Sequence, residues 1–256
     1  MPHDLAFRKQ LAAQVMVNVL IISSVLIVYA LTALHRAEAA LAAEHERAES
    51  LIETIMPRPI ADRLKKAPES RIADRHEAVT VLFADLVGGT PAARNRQPDK
   101  VVGFLDGLFR DFDHLVEEFG VEKIKTIGDA YMVVGGLHGP PHEAAVAVGH
   151  LALKMMRVIQ SSEPLSGVHL NLRIGIHTGP AIAGVIGKRR FSYDVWGDAV
   201  NVASRMESHS VAGEIQVTDE FRKTAGPNFD FQERGAVEIK GVGKMQTAFL
   251  KGVKHG

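Results

Sequence analysis

The chain has 256 residues, enough for one sizeable domain with a proper buried core and some additions. Its 30 basic and 30 acidic residues balance, so no global field marks it for nucleic acid or an acidic partner. Cysteine is absent, which excludes disulfides, thiolate metal sites and a cysteine nucleophile.

After a short tail (residues 1–10), Leu11 to Leu34 is a run of about 24 residues with no formal charge, long enough as a helix to cross a bilayer. A secretory signal competes for this stretch. The run exceeds a typical apolar signal region, however, and no clear cleavage site follows it. Arg8 and Lys9 precede it and Arg36 follows it, so flanking charge does not set its orientation.

From Leu34 to Met56 the chain turns Ala- and Glu-rich and strongly helix-forming. Leu34, Ala37, Leu41, Glu44, Ala48, Leu51 and Ile55 step by three and four, the spacing of a seam between two parallel helices. A single amphipathic helix carries nearly the same pattern. Pro57 and Pro59 end it, Ile60 to Lys66 reads as a short helix, and Pro68 to Arg75 as a polar linker. Residues 35–75 are therefore helix plus linker, and residues 76–256 the main domain.

Ala78 to Asp85 is a β-rich run suited to a central strand, and it ends on a carboxylate. Leu86-Val87-Gly88-Gly89-Thr90 follows, a loop whose backbone N–H groups can approach phosphate oxygens and which serves equally as a plain strand-to-helix turn. Pro98 opens an amphipathic helix to about Phe119. Lys123 to Val134 reads as two strands around a Gly128-Asp129 turn. Lys125 and Asp129 put charge where burial alone would not. A second helix from Pro140 or Pro141 and a strand over Leu170 to Ile176 complete β-α-β-β-α-β, an α+β fold of ferredoxin-like order.

Gly179 to Ile186 reads as a further strand, and Gly187 to Ser192 as an exposed basic turn. Tyr193 to Asp198 leads into a helix over Ala199 to Ser208. There Asn201 and Arg205, four apart, share a face while Val200, Ala203 and Met206 turn inward. Glu214 to Thr218 and Phe229 to Gly252 read as strands, with Ile239 to Lys244 a Gly-rich turn that fits phosphate or an ordinary β-turn. Asp85 and Asp129, at the ends of adjacent core strands, can hold hard divalent cations, since Mg²⁺ needs only one or two carboxylates beside substrate phosphates. Such pairs serve in-line displacement at phosphorus. A polymerase palm has the same arrangement, so the pair alone indicates nucleotidyl transfer and no more.

FADLVGGT, KTIGDAY, LRIGIHTGP, YDVWGDAVNVASRME and IKGVG, in this order over residues 76 to 253, together resemble the class III nucleotidyl cyclases, specifically bacterial membrane-anchored adenylate cyclases. The stretch from Leu34 to Lys66 resembles the helical transducer before their catalytic domain, and Leu11 to Leu34 their last membrane helix. The resemblance implies that Asp85 and Asp129 bind two Mg²⁺ or Mn²⁺ ions, with the Leu86 carbonyl an added ligand. It implies an adenine-reading pair in Lys125 and Asp194, a ribose-orienting Asn201 and an Arg205 that stabilises charge at the α-phosphate. It implies that Lys240 contacts the terminal phosphates, with Gly88, Gly89 and Thr90 expected along the triphosphate. A Lys donor and an Asp acceptor complement adenine N1 and N6, whereas guanine reverses that edge. ATP is the expected substrate, and no general base is demanded.

The resemblance further implies a cleft shared between two chains, so that the homodimer joins through the catalytic domains and the 34–56 helix. Because ATP is cytoplasmic, everything after Leu34 would lie inside the cell membrane. Two positions depart from the family pattern. Gly89 replaces a usual aromatic residue, and Pro180 stands where some relatives place a basic one. A catalytically silent signalling module would have lost an Asp or the Asn–Arg pair, all of which are kept. A diguanylate cyclase would carry GGDEF-like residues where this hairpin reads IGDAY.

Overall fold

The computed structural model describes residues 3–67, 70–88, 98–165, 168–187, 191–239 and 242–254. It divides into two compact units, Met1–Ser70 and Arg71–Gly256. In the first, α1 (His3–Ile55) is one unbroken helix, continuous from the apolar run into the Ala/Glu-rich segment. No glycine or proline interrupts it. It contains a stretch long and apolar enough to cross a bilayer, and the side chains of that stretch are exposed, as are Leu34 and Leu41 of the heptad seam. Helix α2 (Arg58–Lys66) begins after Pro57, which lacks the N–H that an entering helix leaves unpaired. Lys65 Nζ reaches back to Glu49 Oε1 at 2.7 Å.

The second unit runs β1 (Ala73–Val87), α3 (Pro98–Phe119), β2 (Glu122–Ile127), β3 (Ala130–Gly135), α4 (Pro141–Ser161) and β4 (Asn171–Ile186). It continues with β5 (Ser192–Trp196), α5 (Asp198–His209), β6 (Ile215–Thr218), α6 (Asp219–Ala225), β7 (Phe229–Ile239) and β8 (Gly243–Val253). One sheet is ordered β2-β3-β1-β4-β6-β8-β7, with β5 also paired to β4. The β2-β3-β1-β4 part, with α3 and α4 as its crossovers, is the expected ferredoxin-like arrangement. The parallel pairing among these strands is β4 with β6.

Period-two alternation sorts the side chains onto two faces. Leu82, Ala84, Leu86, Tyr131, Val133, Leu172, Ile174 and Ile176 pack with Leu108, Phe112 and Val116 of α3 and Leu151, Met155 and Ile159 of α4. Val79, Val81, Phe83, Met132, Val134, Ala181, Ala183 and Val195 face Ala199 and Ala203 of α5. Large side chains fill the first face. The second carries alanines that let α5 lie close.

One expectation is corrected. The runs Leu170–Ile176 and Gly179–Ile186 are not separate strands but the single strand β4. Gly179-Pro180 reads as a break because proline donates no hydrogen bond. In the fold, β1 is bulged opposite it, with pairing stepping from His76↔Ala181 to Val79↔Gly179. The bulge absorbs the missing donor, and the strand continues. Strand β5 and helix α6, which the sequence reading left unassigned, are also present.

Candidate active site

Asp85 lies near the end of β1, opposite Ala130 of β3, so the neighbouring turn residue Asp129 falls beside it. Gly128 makes that turn possible, since its φ of 65° is in the left-handed region. The hairpin is held from behind: the Tyr131 hydroxyl donates to Asp113 of α3, and Lys123 Nζ donates to the same carboxylate at 2.6 and 2.9 Å. Burial, with the Asp113 charge assisting, keeps the Tyr131 phenol protonated.

Burial pushes the Asp85 carboxyl above the ordinary carboxylate range, and the Asp129 charge pushes it further the same way. Arg173 pulls it back, its Nη2 donating to Asp85 Oδ2 at 2.9 Å while its Nε donates to Glu207 Oε1 at 2.7 Å. Burial raises Glu207 as well, with Asp85 and Asp129 adding to the effect and Arg173 opposing it. Two carboxylates, Asp85 and Glu207, thus share the guanidinium of Arg173, and the Asp129 charge acts on both. Among the described residues no group of three or more His, Cys, Asp or Glu forms a complete metal cage. The fit is to a hard cation that takes two carboxylates and completes its shell with phosphate oxygens and water, for which the paired carboxylates of Asp85 and Asp129, only partly balanced by Arg173, are suited. Leu86 has its side chain buried and its backbone in the β1 ladder opposite Leu172. Gly88 follows with φ 88°. Gly89, Thr90 and Lys240 lie outside the described residues.

A second group forms where β2 meets β5. Lys125 Nζ donates to Asp194 Oδ2 at 2.5 Å, and the other oxygen, Oδ1, accepts from the Val195 backbone N–H at 2.8 Å. Asp194 is 14% exposed and Lys125 38%. The carboxylate is therefore fixed and the ammonium reaches outward over it. Asn201 and Arg205 stand exposed on α5, on the side away from Val202, Ala203 and Met206. Their side chains make no hydrogen bond or ion pair with another described residue. Val200 is partly buried rather than fully inward.

The sequence reading missed Arg173 and Glu207. A signal for Arg173 was available, because LNLRIGIH puts an arginine inside an apolar strand, the same anomaly that drew attention to Lys125. Glu207, on a helix face with other polar residues, gives no such sign.

A family model for the adenylate and guanylate cyclase catalytic domain matches residues 72–252. An adenylate cyclase of Mycobacterium tuberculosis is 47% identical over 226 residues, covering 88% of this chain and 51% of the relative. The chain thus spans about half the length of the curated relatives it matches. The guanylate cyclase domain of RhGC from Catenaria anguillulae in complex with GTP superposes with a TM-score of 0.68 at 34% identity, covering 71% of this chain and 100% of that one. The adenylyl cyclase CyaB from P. aeruginosa gives 0.67 at 25% identity, covering 72% and 97%. A matching family model over most of the chain, on this sheet and with these motifs, places the protein in the adenylate and guanylate cyclase catalytic-domain family.

Proposed function

We propose that this chain is an adenylate cyclase that converts ATP to 3′,5′-cyclic AMP and pyrophosphate. The observation that carries the choice of ATP is the Lys125–Asp194 pair at 2.5 Å. It offers a donor and an acceptor side by side, matching adenine N1 and N6 and mismatching the guanine edge. The 3′-oxygen of the ribose forms a bond to the α-phosphorus, the bond from that phosphorus to the bridging oxygen breaks, and the hydroxyl proton passes to solvent. Two divalent cations at Asp85, Asp129 and the Leu86 carbonyl would supply Lewis acidity and neutralise the triphosphate. The chain's own residues position and neutralise charge: Asn201 orients the ribose, Arg205 meets the charge developing at the α-phosphate, and Lys240 and the Gly88–Thr90 backbone hold the phosphates.

The two groups of site residues serve different clefts in this reading. Asp85 and Asp129 of one chain face Lys125, Asp194, Asn201 and Arg205 of a second copy, so the active species is a homodimer with two equivalent clefts. The exposed apolar side chains of Ile127 at the hairpin tip, Ile182 and Ile186 on β4, and Phe191 before β5 supply a surface for that partner. Residues 11–34 anchor the protein in the cell membrane, residues 35–70 form the transducer with its pairing seam, and residues 71–256, which begin just before β1 rather than at His76, catalyse on the cytoplasmic side, where ATP is found. Purified protein assayed with ATP and with GTP, each with Mg²⁺ or Mn²⁺, tests the reading. Cyclic AMP should exceed cyclic GMP by at least about tenfold, and preference for GTP or no turnover would overturn it.

A further inference from the structure

Arg173 and Glu207 belong to neither group of residues that touch nucleotide or cation, yet they join the two. Arg173 sits directly across the sheet from Asp85 in the β1–β4 register. Its guanidinium presents separate edges to two carboxylates, Nη2 to Asp85 and Nε to Glu207, which an ammonium group cannot do at once in fixed geometry. All three side chains are largely enclosed, at 27%, 22% and 11% exposed for Arg173, Asp85 and Glu207. Glu207 lies on α5, two residues past Arg205.

Helix α5 cannot slide freely over β4. Gly175, two residues beyond Arg173, lies so near it that a Cβ added there would be 1.9 Å from the Glu207 backbone nitrogen and 2.6 Å from the Ala203 carbonyl oxygen. Backbone therefore rests on backbone beside the ion pairs. The carboxylate of Asp85, the guanidinium, Glu207 and the helix bearing Asn201 and Arg205 form one contiguous piece.

We propose that Arg173, clamped by Glu207, is a positioning residue that aims Asp85 at its cation and couples the two clefts of the dimer through α5. The proposal rests on the shared-cleft reading, in which the Asp85 of one chain and the Asn201–Arg205 face of that same chain serve different clefts. Charge balance sets the signs. With Glu207 neutralised, the guanidinium leans on Asp85 alone and competes with the cation. With Arg173 neutralised, the carboxylates lose their internal counter-charge, so they attract a cation more strongly but hold it less well placed.

The test uses the full chain in detergent, with Mn²⁺ as probe and its free signal followed by electron paramagnetic resonance in the presence of a non-cyclisable ATP analogue. Glu207→Gln should weaken Mn²⁺ binding roughly tenfold. Arg173→Gln should tighten it while lowering kcat at least about tenfold, and Arg173→Lys should fall between. Opposite movements of affinity support the clamp. Movement of both variants in one direction, as simple loss of packing would give, or no movement, overturns it.

For the coupling, mixed dimers pair a Lys125→Ala chain, which supplies the cation carboxylates of the one live cleft, with an Asp129→Ala chain, which supplies its Asn201 and Arg205. Glu207→Gln on the first chain should shift the Mn²⁺ requirement, and on the second should lower kcat with that requirement unchanged. The same effect from either placement, or an effect from only one, overturns the coupling. Mixed dimers that are inactive without any Glu207 change would instead sink the shared-cleft reading, leaving the Mn²⁺ titrations to judge the clamp.

Discussion

The ammonium of Lys125 and the carboxylate of Asp194, 69 positions apart in the chain, meet at 2.5 Å where β2 approaches β5. Because Val195 N–H holds the other Asp194 oxygen, the pair is a fixed donor and acceptor rather than a loose surface bridge. Lys125→Ala and Asp194→Ala should each lower kcat/KM for ATP by about 10–100-fold, the worth of one or two hydrogen bonds involving a charged group. The double variant should be little worse than either single one. Full additivity in cyclic AMP assays would show that the two groups do not read the base together.

If the two groups of site residues serve opposite clefts, damage to one group on one chain is repaired by a partner damaged in the other. Lys125→Ala and Asp129→Ala chains, each strongly impaired alone, should regain up to about half the wild-type rate per dimer when paired, by the arithmetic of one intact cleft in two. Paired chains that remain inactive would refute the shared cleft.

Burial first, and the Asp129 charge second, push the Asp85 carboxyl above the ordinary carboxylate range, so removing the Asp129 charge relieves part of that cost. Asp129→Asn should therefore abolish more than about 99% of turnover while raising the melting temperature in EDTA by about 1–3 °C. Mg²⁺ should stabilise the wild type and not the variant. A melting temperature lowered in EDTA would mean that Asp129 holds the fold rather than a cation.

Gly175→Ala puts a methyl group into the α5 backbone. A cost of about 3 kcal/mol is expected in urea unfolding, at the upper end for overpacking because backbone cannot rotate aside as a side chain does. Loss of less than about 1 kcal/mol would show that α5 rides further from β4.

His177 is buried on β4, its Nδ1 2.8 Å from the Thr218 hydroxyl. Burial lowers its pKa, and the Glu220 charge offsets this only in part. A depressed folded value means the neutral ring contributes stability above the ordinary imidazole value of about 6.5. That contribution is lost as pH falls through the folded value. The wild type should lose more stability than His177→Gln between about pH 7 and 5, measured by melting temperature across that range. Parallel curves would remove His177 from the pH response.

Much of this was legible in the sequence because it rests on local rules. Pro98 and Pro141 open helices where a missing N–H costs nothing, and Gly128-Asp129 turns a hairpin where φ must be positive. What escaped depends on pairing between distant segments. Pro180 reads as a strand end until the bulge of β1 is found opposite it. Strand β5 exists because β4 continues past that proline to receive it. Glu207 gains meaning only from Arg173, 34 positions earlier and on another element, since nothing in its own neighbourhood separates it from an ordinary helix-surface glutamate.

The absence of glycine and proline from His3 to Ile55 makes α1 a shaft without a joint. At 1.5 Å per residue it is about 80 Å long, more than twice the roughly 30 Å hydrocarbon core of a bilayer. Such a shaft transmits torque as readily as it transmits a push. A rotation imposed at one end is spread along the helix toward Pro57, because no intervening glycine or proline offers a hinge that would stop it.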